Sequence, residues 1–528
     1  MNALRAKRLK CCLSRHMRNW ITFLPFTSSP QRAMASRSAA RCDQPLSRNT
    51  LIRSFKRIRF VTQQDFYAGY ALIARYAKHP EAALSVQECI IDPTGYRPFL
   101  HGMEDTPKDV GLPDGDMQET LKAYTQSLGL GESLTQKLTE GLNLSKIRYY
   151  PNSHRPMRNH VFNNAVATLL VSLCPNIITL RVFVDSESHT PLGEYLLRNN
   201  YGMLSKPVLQ QVNEVQLHPA NCLDEREYVH LDSINLIRYF HRLPAVNTLS
   251  LEGLDDHNSL ISPIPPRLST TIKEIRMSHV DLSTEAVCNI VRIPKALERF
   301  SLSTNGLQNQ VGYISTLDPG FLARSLSEHK DSLEELDLDT SSGDPSDLAV
   351  LDSHEEDFLA EETAQWYFIA DRKAGSECLP LLLEDLPVDR EYPALAVGSL
   401  RDFEALTHLS IRIGLLLGFH DTLIDHPPGS PLEGNYSAPY HASYRLVDAL
   451  PPSLQFLRLY GYKKGLCNVV DGHVTELLQR KAELFPHLRE IEGVDELLLG
   501  APGTYPVEPE DEQVWRRPED NLTWVCEG

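Results

Sequence analysis

The sequence has 528 residues, of which 42% are hydrophobic and 23% are charged, an ordinary composition for a folded protein. Its 52 Lys and Arg residues against 69 Asp and Glu residues give a formal net charge of −17. Because nucleic-acid-binding proteins usually carry a basic excess, this balance argues against a general nucleic-acid binder. Ten cysteines in so long a chain do not make a disulfide framework.

The first 50 residues form a basic leader. The stretch from Met1 to Gln64 holds 14 Lys or Arg residues and a single acid, Asp43. Such a composition is typical of a disordered arm and also of a mitochondrial transit peptide. We predict a disordered leader at 1–50 and a cytoplasmic or nuclear protein, with a mitochondrial location as the alternative.

No stretch of the sequence is long and apolar enough to suggest a membrane span. The nearest candidate, Ala165–Cys174, has ten residues, against the roughly 18 that a spanning helix needs. The sequence therefore predicts no membrane partner.

A short apolar pattern recurs along residues 158–494, with three apolar positions separated first by two variable residues and then by one. Six of the eight steps between copies measure 25 to 36 residues, at or somewhat above the 20–29 residues typical of leucine-rich repeats. The fifth copy begins LERFSLSTNGL and resembles the full leucine-rich-repeat consensus, with Asn305 at the asparagine position. The copies are Ile177-Leu180-Val182, Val212-Val215-Leu217, Val246-Leu249-Leu251, Ile272-Ile275-Met277, Leu297-Phe300-Leu302, Leu333-Leu336-Leu338, Leu406-Leu409-Ile411, Leu454-Leu457-Leu459 and the degraded Leu488-Ile491-Gly493.

The residues that flank these apolar positions test the pattern. Successive side chains of a strand point to opposite faces, so the flanking residues must lie opposite the buried ones. Among 26 flanking residues, only Phe183 and Phe456 are plainly apolar. This alternation predicts strands with one buried and one solvent-facing side. Scattered amphipathic strands of an ordinary α/β domain are the alternative.

Helical segments separate the strands, as parallel crossovers require. The predicted fold class is α/β, a leucine-rich-repeat solenoid or horseshoe with a parallel concave sheet and irregular repeats over 158–494. A helical lead-in region is predicted over 51–157. Apolar spacing and stop residues predict helices over Arg158–Leu173, Val229–Arg242, Ser283–Arg292, Gly320–His329 and Asp471–Phe485.

Two segments fall outside the repeat pattern. An acidic insertion is predicted at about 340–399, because Glu334–Glu362 contains 12 acidic residues and no Lys or Arg. We interpret it as a solvated insertion, with a calcium or basic-partner site as the alternative. Residues 495–528 are predicted to form an irregular C-terminal tail.

The motifs that carry catalysis, cofactors or metals are missing from the sequence. It has no CxxC or HExxH metal pattern, no GxxxxGKS/T phosphate loop and no GxSxG nucleophile elbow. We therefore predict a non-catalytic protein that uses neither a cofactor nor a metal. An enzyme whose site is assembled from distant residues is the alternative.

Two longer phrases resemble those of filamentous-fungal F-box/leucine-rich-repeat proteins. One is YRLVDALPPSLQFLRLYGYKKG, Tyr444–Gly465, followed by a helix and FPHLREIEGV, Phe485–Val494. The other is LIRSFKRIRF, Leu51–Phe60, followed by a helix and HPEAALSVQECIID, His79–Asp92. The resemblance covers roughly Leu51–Val494 and consists of similar short segments that occur in the same order.

This resemblance implies substrate recruitment to a cullin-type ubiquitin ligase. In such proteins the F-box docks on a Skp-type adaptor, and the repeats hold the substrate protein. An F-box opens with an LPxE/D-type phrase, which Met1–Leu51 does not contain. The nearest phrase, Leu112–Asp114, lacks the apolar residues that should follow it. We interpret the F-box as lost, or as replaced by the basic leader through a misassigned start.

The predicted function is protein–protein recognition on the concave sheet, with a few aromatic and arginine anchors. Acidic Glu335, Asp337 and Asp339 beside them would complement a partner of mixed charge. For each candidate the alternative is a solvated strand position, and for the whole chain it is a repeat scaffold unrelated to ubiquitin. The candidate binding residues are Arg276, Arg299, Arg412, Phe456, Arg458 and Tyr460.

Overall fold

The computed structural model describes residues 54–95, 114–146, 159–184, 190–219, 229–230, 233–256, 264–304, 317–340, 396–418, 445–498, 500 and 524–526. All of them belong to the unit Ile52–Gly528. The predicted leader at 1–50 lies outside the described residues. So do most of the acidic insertion predicted at about 340–399 and most of the tail predicted at 495–528.

Within the described residues the chain forms a sheet of 14 strands. The strands are β1 (Phe55–Phe60), β2 (Glu88–Ile91), β3 (Thr179–Val184), β4 (Glu214–Pro219), β5 (Val229–His230), β6 (Thr248–Glu252), β7 (Leu254–Asp256), β8 (Glu274–Leu282), β9 (Arg299–Thr304), β10 (Glu335–Asp339), β11 (His408–Arg412), β12 (Phe456–Tyr460), β13 (Glu490–Glu492) and β14 (Val525–Cys526). Their main path across the sheet is β13-β12-β11-β10-β9-β8-β6-β4-β3-β2-β1-β14. The short strands β5 and β7 pair with each other, and β7 pairs with β8.

Neighbouring strands along the main path are parallel, except for β1 and β14, which are antiparallel. The last two residues of eight of the apolar triplets lie in strands β3, β4, β6 and β8 to β12, and Ile491 of the degraded ninth triplet lies in β13. These strands follow one another across the sheet in the order of the sequence. The predicted α/β class with a parallel sheet is confirmed.

The apolar triplets lie in register and fill the buried side of the sheet. Leu249 of β6 pairs with Ile275 of β8, and Ile275 pairs with Phe300 of β9. All three side chains are at most 2% exposed. Burial of one such side chain stabilises the fold by about 1.5–3 kcal/mol. A slip of one residue would turn a whole row toward solvent, so this packing fixes the register.

Helices connect the strands in the described part of the chain. Four of the five predicted helices begin and end within three residues of the observed bounds, whereas the predicted Val229–Arg242 holds a short strand and one short helix. Short 3₁₀ turns cover Pro80–Ser85 and Leu144–Lys146. The helices are α1 (Gln63–Lys78), α2 (Gly115–Ser127), α3 (Glu132–Gly141), α4 (His160–Leu173), α5 (Pro191–Asn200), α6 (Ser233–Ile237), α7 (Thr284–Arg292), α8 (Pro319–Ser327), α9 (Ile413–Leu417), α10 (Leu446–Ala449) and α11 (Asn468–Leu484).

Side-chain caps fix where some of the connecting helices begin. Helix α1 starts with a capping box, because the Thr62 hydroxyl accepts a hydrogen bond from the Asp65 backbone N–H and Asp65 Oδ2 accepts one from Thr62 N–H, both at 3.1 Å. At the start of α8, Asp318 Oδ1 accepts from the backbone N–H of Gly320 and Phe321, at 2.7 and 3.1 Å. These bonds satisfy N–H groups that have no partner inside the helix.

The region predicted as a helical lead-in, 51–157, contributes strands as well as helices. Strand β1 pairs in parallel with β2, and β2 pairs in parallel with β3. Helix α1 packs closely on β1, since a Cβ at Gly69 would lie only 2.2 Å from Cζ of Phe60. The sheet therefore continues past the predicted repeat boundary at residue 158, which corrects the purely helical description of this region.

A described part of the predicted irregular tail forms strand β14. It pairs antiparallel with β1, with Phe55 opposite Cys526 and Arg57 opposite Val525. The Trp524 ring lies 5.2 Å from the ring of Phe55, measured between centroids. A segment far away in sequence thus covers the edge of the sheet at β1.

Candidate functional site

The side of the sheet opposite the main core carries the residues that flank the apolar triplets. In register over β8 to β13, a first row consists of Glu274, Arg299, Glu335, His408, Phe456 and Glu490. A second row, two residues further along each strand, consists of Arg276, Ser301, Asp337, Ser410, Arg458 and Glu492. We call these two rows the polar face. The parallel pairing brings side by side residues that lie tens of positions apart in the sequence.

Two of the six candidate binding residues, Arg276 and Arg299, share one carboxylate. Arg276 Nε donates to Glu274 Oε1 at 2.6 Å, and Arg299 Nη2 donates to Glu274 Oε2 at 3.0 Å. Burial raises the pKa of Glu274, but the hydrogen bonds and charges of the two arginines outweigh it and hold that pKa below its ordinary value. Arg276 Nη1 also lies 3.7 Å from Glu214 Oε1, so the two cations have two carboxylate partners within the chain.

The other two candidate arginines also pair with acidic residues of the chain. Arg412 Nη2 donates to Asp339 Oδ1 at 2.9 Å. Arg458 Nε donates to Glu492 Oε2 at 2.6 Å, and its guanidinium carbon lies 5.3 Å from the centre of the Phe456 ring. Every arginine of the candidate set thus has a carboxylate partner on its own sheet.

Tyr460 lies at the end of β12 and is only 1% exposed. Its hydroxyl donates to the Asp337 carboxylate, at 3.2 Å from Oδ1 and 3.3 Å from Oδ2. Burial and the negative charge of Asp337 raise the pKa of Tyr460 to about 12. The ring therefore supports Asp337 from within the structure, which corrects the expectation of an exposed aromatic anchor at this position.

A depression of about 310 Å³ lies at the centre of the polar face, over β8 to β12. Of the six candidate residues it includes Arg299 and Phe456. Most of its lining comes from the two rows defined above, so the strand register builds it. Its lining residues are Glu274, Ile275, Arg299, Phe300, Ser301, Glu335, Leu336, Asp337, His408, Ser410 and Phe456.

An aromatic pair forms one wall of this depression. The rings of His408 on β11 and Phe456 on β12 stack with their centroids 5.9 Å apart and their planes inclined by 27°. The two residues are direct neighbours in the first row. They give a largely acidic depression one flat, less polar side, against which an aliphatic chain can pack.

Two carboxylates of the depression have no ion-pair partner among the described residues. Glu335 is exposed, and no described Lys, Arg or His nitrogen lies within 4.0 Å of it or of Asp337. Burial raises the pKa of Asp337 to about 6, the charge of Asp339 raises it further, and the Tyr460 hydroxyl and Arg458 lower it. The depression therefore carries negative charge that no described ion pair balances.

The same side of the sheet is buried near β1 to β4. The Phe183 and His218 rings stack at 5.1 Å between centroids, and both side chains are at most 4% exposed. Phe183 also forms a small apolar cluster with Val61 and Ile90. The prediction that Phe183 faces solvent is wrong, because these side chains pack together on the side of the sheet that was predicted to face solvent.

Four polar lining residues of the depression were not among the sequence-based candidates. They lie at flanking positions of apolar triplets and are Glu274, Ser301, Ser410 and His408. Aligning the triplets would have placed Ser301, Ser410 and His408 beside Asp337 and Glu335, because the register of the sheet follows the alignment of the triplets. Residue type alone gave no such signal, since serine and histidine are ordinary on a solvated strand.

The described ranges hold no group of three or more His, Cys, Asp or Glu side chains that could bind a metal ion. In the same part of the chain, every helix is too short or too polar to cross a membrane.

No protein-family model and no curated protein matches the chain. The resemblance to F-box/leucine-rich-repeat proteins therefore stays a prediction, and a functional inference rests on the polar face.

Proposed function

We propose that this chain is a non-catalytic recognition protein that binds a partner protein on the polar face. The observation that carries the proposal is the depression of about 310 Å³, which combines unpaired acidic groups with an aromatic wall. Protein interfaces concentrate their binding energy at a few such central positions. Three paired arginines beside it, Arg276, Arg412 and Arg458, would act as a polar rim that fixes the orientation of the partner.

We further propose that the sheet and its crossovers form a leucine-rich-repeat solenoid. Nine strands with the same apolar spacing, in parallel register and sequence order, support this description. Repeats of this kind commonly use the side chains of the sheet for binding. In its finer form, suggested by the resemblance, the proposal is substrate recruitment to a cullin-type ubiquitin ligase through a Skp-type adaptor.

Site-specific photo-crosslinking in cells of the source organism tests the binding surface. A photo-crosslinking amino acid replaces His408, an exposed lining residue, or Gln479, an exposed residue on helix α11 that serves as the matched control. We expect a discrete crosslinked partner from position 408 and none from position 479. Equal crosslinking at both positions, or none at 408, would contradict recognition on the polar face.

Affinity purification of the full chain from the same cells tests the link to ubiquitin ligases. The finer proposal predicts that a Skp-type adaptor and a cullin co-purify reproducibly. If a partner crosslinks at position 408 while adaptor and cullin are absent, the chain is a recognition scaffold outside that pathway. The crosslinking experiment therefore tests the binding surface, and the purification tests the connection to a ubiquitin ligase independently of it.

A further inference from the structure

The depression on the polar face carries more negative than positive charge. Its lining holds three carboxylates, those of Glu274, Glu335 and Asp337, against the single guanidinium of Arg299. Glu274 is paired with Arg299 and also with Arg276, which is not a lining residue, so Glu335 and Asp337 are the two lining carboxylates without an ion-pair partner among the described residues. A ligand that complements this depression is therefore cationic.

The two unbalanced carboxylates are positioned to converge on one group. Glu335 and Asp337 are two residues apart on β10, so their side chains leave the same side of the strand with their Cα atoms roughly 6.6 Å apart. The Tyr460 hydroxyl holds the Asp337 carboxylate from the far side, at 3.2 Å. Asp337 is thus oriented by its own chain before a ligand arrives.

The size and walls of the depression suit a single extended side chain. About 310 Å³ is at the lower end of the roughly 300–1,000 Å³ found for small-molecule sites. The stacked rings of His408 and Phe456 can cover an aliphatic stem, as aromatic walls commonly do for lysine and arginine. The hydroxyl groups of Ser301 and Ser410 add hydrogen-bond acceptors on the floor.

We propose that the depression binds a long basic side chain, lysine or arginine, presented by a segment of the partner protein. This inference rests on the proposed function and adds the chemistry of the residue that is recognised. The cation lies between Glu335 and Asp337, and its stem packs on the His408–Phe456 wall. The partner surface is basic at this point, in keeping with the acidic character of the chain.

Binding of such a cation should weaken in acid. The charged or titratable groups around Asp337 and in the lining of the depression are Glu274, Arg299, Glu335, Asp339, His408, Arg458 and Tyr460. Protonation of Asp337 removes one of the two attracting charges, so the affinity for a cation falls with the pH.

Peptide selection followed by a matched pair of variants tests the inference. Random 12-residue peptides displayed on phage are selected on the full chain, and the best peptide is synthesised with a fluorescent label. Its affinity is then measured by anisotropy for the wild type, Glu335→Gln and Glu490→Gln. Glu335 and Glu490 are both exposed residues of the first row, but Glu490 lies outside the depression.

We expect selected peptides to share a Lys or Arg, and Glu335→Gln to weaken binding about tenfold while Glu490→Gln changes it less than about twofold. Replacing the shared basic residue by methionine should weaken binding to the wild type more than binding to Glu335→Gln, in which only Asp337 is left to attract the cation. Asp337→Asn provides a second variant with the expected loss. Thermal unfolding of each variant confirms that it is folded.

The remaining outcomes separate this inference from the proposed function. Peptides that crosslink to the chain labelled at position 408 but need no basic residue would overturn the inference and leave recognition on the polar face intact. Equal losses for Glu335→Gln and Glu490→Gln would also overturn it, because they indicate a general charge effect. A selection that yields no peptide crosslinking at position 408 contradicts both.

Discussion

Trp524 donates a hydrogen bond from Nε1 to Asp65 Oδ1 at 3.0 Å, although the two residues are 459 positions apart. The other oxygen of Asp65 accepts from the backbone N–H groups of Val61 and Thr62, at 3.2 and 3.1 Å. The Asp65 carboxylate thus caps the start of helix α1 and also binds Trp524, the residue before β14. The first strand, the first helix and a distant segment are joined at a single buried group.

Replacing Trp524 separates the two parts of this junction. Trp524→Phe keeps a ring beside Phe55 but removes the N–H donor, so we expect the free energy of unfolding to fall by about 1 kcal/mol. Trp524→Ala also removes the ring contacts and should cost at least about 2 kcal/mol. Urea denaturation measures both values, and hydrogen exchange of β1 should increase more than that of β9. Equal effects of the two variants would show that the ring contacts contribute nothing beyond the hydrogen bond, and an unchanged stability of Trp524→Phe would show that the hydrogen bond contributes nothing.

Two glycines in long helices should respond to alanine in opposite ways. At Gly69 in α1 a Cβ would lie 2.2 Å from the buried Phe60 ring, so Gly69→Ala should destabilise the protein by about 1–3 kcal/mol. At Gly472 in α11 nothing lies within 4 Å, and Gly472→Ala should stabilise it by about 0.5–1 kcal/mol. Chemical denaturation of the two variants gives the sign of each effect. An unchanged or raised stability of Gly69→Ala would contradict the described packing of α1 on β1, and a loss for Gly472→Ala would contradict the open space described there.

Asp337 should make the free energy of unfolding fall as the pH rises. Its pKa is about 6 in the folded chain and near its ordinary value of 3.8 when unfolded, so the unfolded chain loses the proton first. The protonated Asp337 side chain therefore contributes fully to the free energy of unfolding below about pH 4, and this contribution is lost by about pH 6. The free energy of unfolding of Asp337→Asn, relative to that of the wild type, should therefore increase as the pH rises from about 4 to about 6. Urea midpoints of both proteins at pH 4.5 and 7.5 measure this change, and a difference that does not change between the two pH values would contradict it.

Glu274 should show the opposite dependence on pH. Burial alone would raise the pKa of Glu274, but Arg299 and Arg276 hold it below its ordinary value, so the carboxylate stabilises the fold once the unfolded chain is also ionised. That contribution is lost as the pH falls through the folded pKa. The deficit of Glu274→Gln relative to wild type should therefore be largest near neutral pH and shrink in acid. A deficit that grows in acid would contradict the assigned ion pairs.

Most of the sheet could be predicted because its strands bury alternate residues on one side. The pattern also occurs in β1 and β2, as Phe55-Ile58-Phe60 and Val86-Cys89-Ile91, although neither was recognised as a strand of the sheet. In β2 the outward residue Ile90 is apolar and buried, so the alternation that identified the other strands is missing there. Strand β14 has only two residues and is held by contacts to β1, which no local pattern predicts.

The sequence predicts which side of the sheet carries the candidate site, but it does not predict how the charged side chains of the site pair. The flanking positions place Arg299 and Phe456 on the correct side of the sheet, and both line the depression. The pairing of each arginine depends on side-chain conformations across neighbouring strands, which spacing does not specify. For this reason the unpaired carboxylates of Glu335 and Asp337, rather than the arginines, are the distinctive groups of the site.

The pairing of β1 with β14 has a consequence for synthesis on the ribosome. An unpaired strand at the edge of a sheet is open to pairing with other chains. Translation at about 5–20 residues per second takes roughly 20–90 s to cover the 459 residues from Asp65 to Trp524. The nascent chain therefore carries an open sheet edge for that time, and chaperones that shield exposed strands would be needed early.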